Sequence, residues 1–146
     1  MSMDFINTKD RTVTFSINNR GWRGIYLLGL MFGWVPQGTT TPPGWCGEKP
    51  WDGQNYTTND GQVVTADDAL ELARAIEQAV PLLKASDPSQ TRQQASFAWE
   101  FELYQRFARA MENGVRDPEY LYFDDRWSEK LNELAAFCRK GAFKIC

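Results

Sequence analysis

Residues 51–80 read WDGQNYTTNDGQVVTADDALELARAIEQAV, and the order of signals in that stretch sets the architecture. Asn59, Asp60 and Gly61 make a turn, because these residue types accept positive φ at the least steric cost. Val63 and Val64 supply a short extended entry. Thr65 is then placed to cap a helix, with Asp68 three residues on as its capping-box partner and Val64 able to staple onto Ala69. Asp67 and Asp68 both suit the positive end of a helix dipole. From there Ala69, Leu72, Ala73, Ile76, Val80 and Leu83 recur at helical spacing, and Pro81 bends or ends the pattern.

Upstream, Val13, Phe15 and Ile17 alternate with Thr12, Thr14 and Ser16, the period of a half-buried strand. Near the other end Phe143 and Ile145 alternate with Ala142, Lys144 and Cys146. Pairing these two extended segments would tie down ends that otherwise fray, so a small sheet holding both is expected, with Val63 and Val64 as a third short strand. Asn18 or Asn19 caps a helix through Trp22, Ile25, Tyr26, Gly29 and Phe32, and Gly33 suits its left-handed stop. Gly21, Gly24 and Gly29 inside that helix each cost about 1 kcal/mol against alanine, which points to close packing by a neighbour.

Residues 34–61 hold Pro36, Pro42, Pro43 and Pro50 among many glycines, a long loop that is unusual inside a compact domain. Asp87-Pro88 and Asp117-Pro118 each place an acidic cap before a proline whose missing N–H costs nothing in a first helical turn. The first starts an expected helix over 88–112. It carries Phe97, Phe101, Tyr104, Ala108 and Met111 on one face and Trp99, Leu103 and Phe107 on a second. Asp124 or Asp125 opens the last helix, with Trp127, Leu131, Leu134 and Cys138 in line and Gly141 as its stop. The expected fold is α+β: a mostly helical single domain over 1–146, with about four helices and a small sheet involving both chain termini.

At 146 residues one domain can bury roughly 70% of the surface its unfolded chain exposes. Six Trp and nine Phe supply large rings, which serve equally in cores and at interfaces. A net charge of −3 with a pI near 5.0 offers no basic footprint for a phosphate backbone. Nucleic acid is therefore not an expected partner, whereas a basic protein is allowed. The opening residues MSMDFINTKDR carry acids and no long apolar run, so a secretion signal is not expected. The longest apolar run, 24–35, falls short of the about 20 residues a membrane span needs. Cys46, Cys138 and Cys146 are odd in number and form no Cys-x-x-Cys pair, which suits reduced thiols in a cytoplasm.

Histidine is absent, which removes the commonest general base, proton shuttle and metal ligand. A Ser or Cys nucleophile would then need a lysine or a carboxylate as its base, and no local motif announces one. Asp67 and Asp68 read as ordinary capping acids. Residues 52–60 fail the calcium-loop pattern at the position where Tyr56 stands. No metal and no cofactor is expected. Two segments stand out as binding candidates. The first is the set Trp34, Trp45, Trp51 and Tyr56 among glycines and prolines, which either folds back as a lid on the core or presents flat rings to a partner or ligand. The second is DPEYLYFDD, where Asp117, Glu119, Asp124 and Asp125 flank Tyr120 and Tyr122. Acidic rims around aromatic anchors resemble interface hot spots that steer a basic partner, while the plain alternative is a pair of helix caps with core aromatics between them.

The order GW-x-P-x-GT (Gly33 to Thr39), Trp51 with Tyr56, NDGQ-V (Asn59 to Val63), the helix opening at Asp68 and Ala69, and FCRKGAF-I near the end resembles a family of small uncharacterised bacterial proteins. The resemblance implies no catalytic residue. Small acidic bacterial proteins of this kind are often immunity or inhibitor proteins, an inference by analogy. The leading expectation is thus a non-enzymatic cytoplasmic module for protein–protein interaction, of immunity or inhibitor type, that masks a basic site on its partner. The alternative is a binder of a planar small ligand on the aromatic loop, with Arg20 or Arg23 meeting an anion. The third reading is a histidine-free enzyme working through carboxylates.

Overall fold

The computed structural model describes residues 2–53, 56–83 and 127–146. Strands β1 (Ser2–Asn7), β2 (Thr14–Asn18), β3 (Val63–Val64) and β4 (Phe143–Ile145) form one antiparallel sheet in the order β2-β1-β4-β3. Helices α1 (Asn19–Met31) and α3 (Ser128–Arg139) pack on its strands, and α2 (Ala66–Ala79) packs against both helices.

This architecture corrects the expectation of a mostly helical body with about four helices. Among the described residues there are three α-helices, 43% of those residues are helical, and the sheet has four strands. The helix expected over 88–112 and the expected caps at Asp117, Asp124 and Asp125 lie outside the described residues. The expected small sheet does hold both end segments, with Val63–Val64 as a further short strand, but the two ends are not neighbours in it. The segment carrying Phe15 and Ile17 does not lie beside the C-terminal strand, because β1 stands between them, with Phe5 opposite Phe15 on one side and Ile145 on the other. Strand β1 escapes a periodicity reading because its third inward position is polar. Met3, Phe5 and Asn7 all point into the core, and Asn7 tolerates burial because its side chain is fully engaged. Its Oδ1 accepts from Lys9 N and Asp10 N, each at 2.9 Å, and its Nδ2 donates to Lys140 O at 3.1 Å. The same amide therefore shapes the β1–β2 turn and fastens it to the end of α3.

Phe5 is the hub of the core. Its ring centroid lies 5.9 Å from Phe15, 4.8 Å from Trp22, 4.9 Å from Phe143 and 6.4 Å from Phe137, so both flanking strands and two helices meet on one side chain. At the rim, Lys130 Nζ sits 4.5 Å above the Phe15 ring, a favourable approach of a cation to a π face.

Helix ends follow their local chemistry. Asn18 Oδ1 accepts from Gly21 N at 2.6 Å and starts α1. At its other end Trp34 N donates to Gly29 O (2.9 Å) and Gly33 N to Leu30 O (3.3 Å), with Gly33 at φ +88°; this is a Schellman stop. Gly29 is needed for a second reason, since a Cβ there would come 2.8 Å from the Trp34 ring and 2.9 Å from Leu72. The Val80–Leu82 turn containing Pro81 closes α2, and Gly141 at φ +113° follows α3.

Arg139 clasps Glu77 through two bonds of 2.6 Å, joining α3 to α2. The Arg139 hydrogen bond holds the Glu77 carboxyl below its usual range. Both side chains are largely exposed, so the pair adds little net stability. Cys46, Cys138 and Cys146 are all free thiols, with Cys138 buried and Cys46 exposed. Burial pushes the pKa of the Cys138 thiol far above its ordinary value, so the group stays protonated. No helix among the described residues is long and apolar enough to cross a membrane.

Phe5→Ala is expected to cost about 3–5 kcal/mol in urea unfolding, as deletions of buried rings do, whereas Glu77→Gln should cost less than about 1 kcal/mol. Because the folded pKa of Glu77 is depressed, its contribution is present above the unfolded carboxyl range and fades as pH falls through the folded value. The wild-type and Glu77→Gln unfolding curves should therefore converge in acid.

Candidate functional site

Position 68 lies on the inward face of α2, in line with Leu72, Ala75, Ile76 and Ala79. A carboxylate there must find donors, because burying an unpaired charge is costly. Asp68 is 2% exposed, and it finds those donors in the loop that joins α1 to β3. Gln37 N lies 3.0 Å from Oδ1 and 2.9 Å from Oδ2, Gly38 N lies 3.2 Å from Oδ2, and the Tyr56 hydroxyl lies 2.7 Å from Oδ2. The phenolic proton is shared with Gly38 O, also at 2.7 Å. One half of the expected capping box is present, with Asp68 N donating to Thr65 Oγ1 at 3.2 Å. The carboxylate itself turns to the loop.

The main chain of the same residue does further work, since Trp34 Nε1 donates to Asp68 O at 3.0 Å. Trp22 Nε1 donates to Tyr56 O at 2.6 Å. The rings then run in a continuous series: Trp22 meets Tyr26 edge to face at 6.1 Å, Tyr26 meets Trp34 at 5.2 Å, and Trp34 stacks on Tyr56 at 6.2 Å with planes 12° apart. Every one of these indole and phenol polar groups with a bond given above is satisfied by backbone or by Asp68, which lets bulky amphipathic rings sit inside. On the return side of the loop Gln62, also buried, accepts from Asp60 N at 2.9 Å and donates to Thr58 O at 2.5 Å.

Burial, reinforced by the Asp68 hydrogen bond and charge, drives the Tyr56 phenol well above the ordinary tyrosine range. Tyr26 is raised in the same direction, first by burial and then by the charges of Asp52 and Asp68.

The two alternatives set out for the four rings are thus divided between them. Trp34 and Tyr56 are buried and line the core, so they have no face to offer a partner. Trp45 and Trp51 remain half-exposed and meet edge to face at 4.8 Å and 73°. Their segment is tied to itself: Thr39 N donates to Gly53 O at 2.5 Å, Trp45 N to Pro42 O at 3.1 Å, and Trp45 Nε1 to Lys49 O at 3.1 Å. The Trp51 indole N–H is enclosed but has no acceptor among the described residues. The second candidate segment, with Asp117, Glu119, Tyr120, Tyr122, Asp124 and Asp125, lies outside the described residues.

Sequence reasoning missed Asp68, which it took for an ordinary capping acid. The signal was available in the helical spacing, where position 68 stands four residues before Leu72 on the buried face, and in a nearby loop rich in N–H donors. The motif positions Trp34, Gly38, Tyr56 and Asp68 converge on this one anchor, so their spacing answers a folding requirement. Among the described residues no three side chains of the His, Cys, Asp and Glu types gather as metal ligands. Compared with protein families, with curated proteins and with solved structures, the chain gives no match.

Removing one donor from a buried carboxylate costs about 1–3 kcal/mol, and Tyr56→Phe should lower the unfolding free energy by that amount. A spectrophotometric titration at high pH should show Tyr26 and Tyr56 ionising later than unfolded tyrosine does. The sign of the linkage is that stability is full below the unfolded tyrosine value of about 10 and is lost as pH rises toward the raised folded values.

Proposed function

We propose that the protein is a non-enzymatic protein–protein interaction module whose contact surface is centred on Trp45 and Trp51. The observation that supports this reading is the placement of these two indoles, set edge to face at the surface on a segment anchored from below. Rigid, half-exposed tryptophans are the residue type most often found at the centre of interfaces, where they supply large contact area at low entropic cost. The net charge of −3 favours a basic partner through long-range attraction. The absence of histidine fits a protein that presents a surface and leaves bond-making chemistry to its partner. In its specific form the proposal is a bacterial immunity or inhibitor protein of the cytoplasm, a compartment in which free thiols at Cys46, Cys138 and Cys146 are at home.

A second reading, a binder of a planar small ligand, is favoured by one feature: the enclosed Trp51 N–H lacks an acceptor among the described residues, and a ligand carbonyl or anion would supply it.

The test is capture of a stoichiometric partner on the purified protein, followed by calorimetry with Trp45→Ala and Trp51→Ala. Each variant should weaken association at least about 30-fold, the effect of an interface hot spot, while keeping the wild-type melting temperature. Trp34→Ala, by contrast, should lower the melting temperature. Partner affinity untouched by both surface substitutions would reject the placement of the contact, and metabolite turnover by the purified protein would reject the non-enzymatic reading. Loss of binding to a small aromatic anion in Trp51→Ala, with no protein captured, would favour the second reading.

A further inference from the structure

Asp68 is the one acidic or basic side chain among the described residues that is buried, and its carboxylate reaches both sides of the loop. It holds Gln37 N and Gly38 N before the Trp45–Trp51 segment and the Tyr56 hydroxyl after it. The segment in between closes on itself at its neck through Thr39 N and Gly53 O, and its described hydrogen bonds include Trp45 N to Pro42 O and Trp45 Nε1 to Lys49 O. The sheet below is held by different forces, the ladder of strand pairs and the rings packed on Phe5. These are two separable sets of interactions, and proteins open locally along such divisions.

We infer that residues 37–53 form a strap that opens as one unit without unfolding the sheet, and that the Asp68 carboxylate is the clasp that sets how often it opens. Opening breaks the bonds from Gln37 N and Gly38 N to Asp68 and from the Tyr56 hydroxyl to Gly38 O, together with the strap's own bonds from Thr39 N and Trp45 N; it exposes the Asp68 carboxylate to water and leaves Phe5, Phe137 and Phe143 packed. The edge-to-face setting of Trp45 and Trp51 exists in the closed strap, so the clasp controls whether that pair is presented. The inference holds whatever the pair binds, and even if it binds nothing.

Native-state hydrogen exchange on the full chain tests it with two substitutions. Asp68→Asn keeps the shape of the side chain but replaces one acceptor oxygen by a donor facing the N–H groups of Gln37 and Gly38. The amides of Gln37, Gly38, Thr39 and Trp45 should then exchange about 10-fold faster or more. Phe137→Leu weakens the core away from the strap. It should speed exchange in β1 and β4 several-fold and leave the strap amides within about 2-fold of wild type, because the open strap retains the packed core. Strap and sheet accelerating by one common factor in Phe137→Leu would show that the strap opens only when the whole protein unfolds, and would overturn the inference. Unchanged strap exchange in Asp68→Asn would overturn the role of the carboxylate. Should Asp68→Asn fail to fold, Tyr56→Phe removes one clasp donor and must speed the same four amides, with no acceleration there overturning the clasp.

Discussion

A carboxylate placed on the inward face of a helix has to be met by donors, and the way Asp68 is met organises the region between α1 and β3. Its partners are two backbone N–H groups and a phenol, none of which belongs to a regular element. The loop that supplies them contains no helix or strand among its described residues, so without this carboxylate its backbone would have little to bond. The demand runs both ways: charge burial requires the loop, and the loop's fold requires the charge. Trp34 and Tyr56 follow as consequences, since the indole that reaches Asp68 O lies against Gly29 and the phenol that reaches Asp68 Oδ2 stacks on that indole. What remains outside, Trp45 with Trp51, is the part of the aromatic content that this anchor leaves half-exposed.

Much of the local structure was legible in the residues because it depends on neighbours in sequence. The alternation of Phe15 and Ile17, the cap at Thr65, the stops at Gly33 and Gly141 and the break at Pro81 are each decided within a few positions. The order of the strands was not legible in this way. It rests on pairings between residues more than a hundred positions apart, such as Phe5 with Ile145, and on a strand whose third inward residue, Asn7, is polar. Among the described residues the predominance of helix was overestimated because β1 went unseen.

The fate of each ring in the candidate site was less legible than its membership, for a related reason. Composition picks out Trp34, Trp45, Trp51 and Tyr56 as one aromatic group, yet two of these rings are inside and two are half-exposed. Their fates are decided by hydrogen-bond acceptors that composition does not reveal: Asp68 O for Trp34, Asp68 Oδ2 and Gly38 O for Tyr56, and a local carbonyl at Lys49 for Trp45. An acid three residues after a threonine satisfies a capping rule whether or not its side chain turns inward, so the rule matched while the principal role of Asp68 lay elsewhere.

The three cysteines carry a consequence of their own. Thiolate is the reactive form, and solvent access limits its encounter with any reagent. Cys46 stands open to solvent, Cys146 is half-covered at the end of β4, and Cys138 is sealed on the inner side of α3 with its proton held by burial. An alkylating agent therefore meets them in that order, and modification of Cys138 has to wait for the helix to leave the sheet. Labelling at Cys138 thereby reports the opening of the core, whereas labelling at Cys46 reports only the surface.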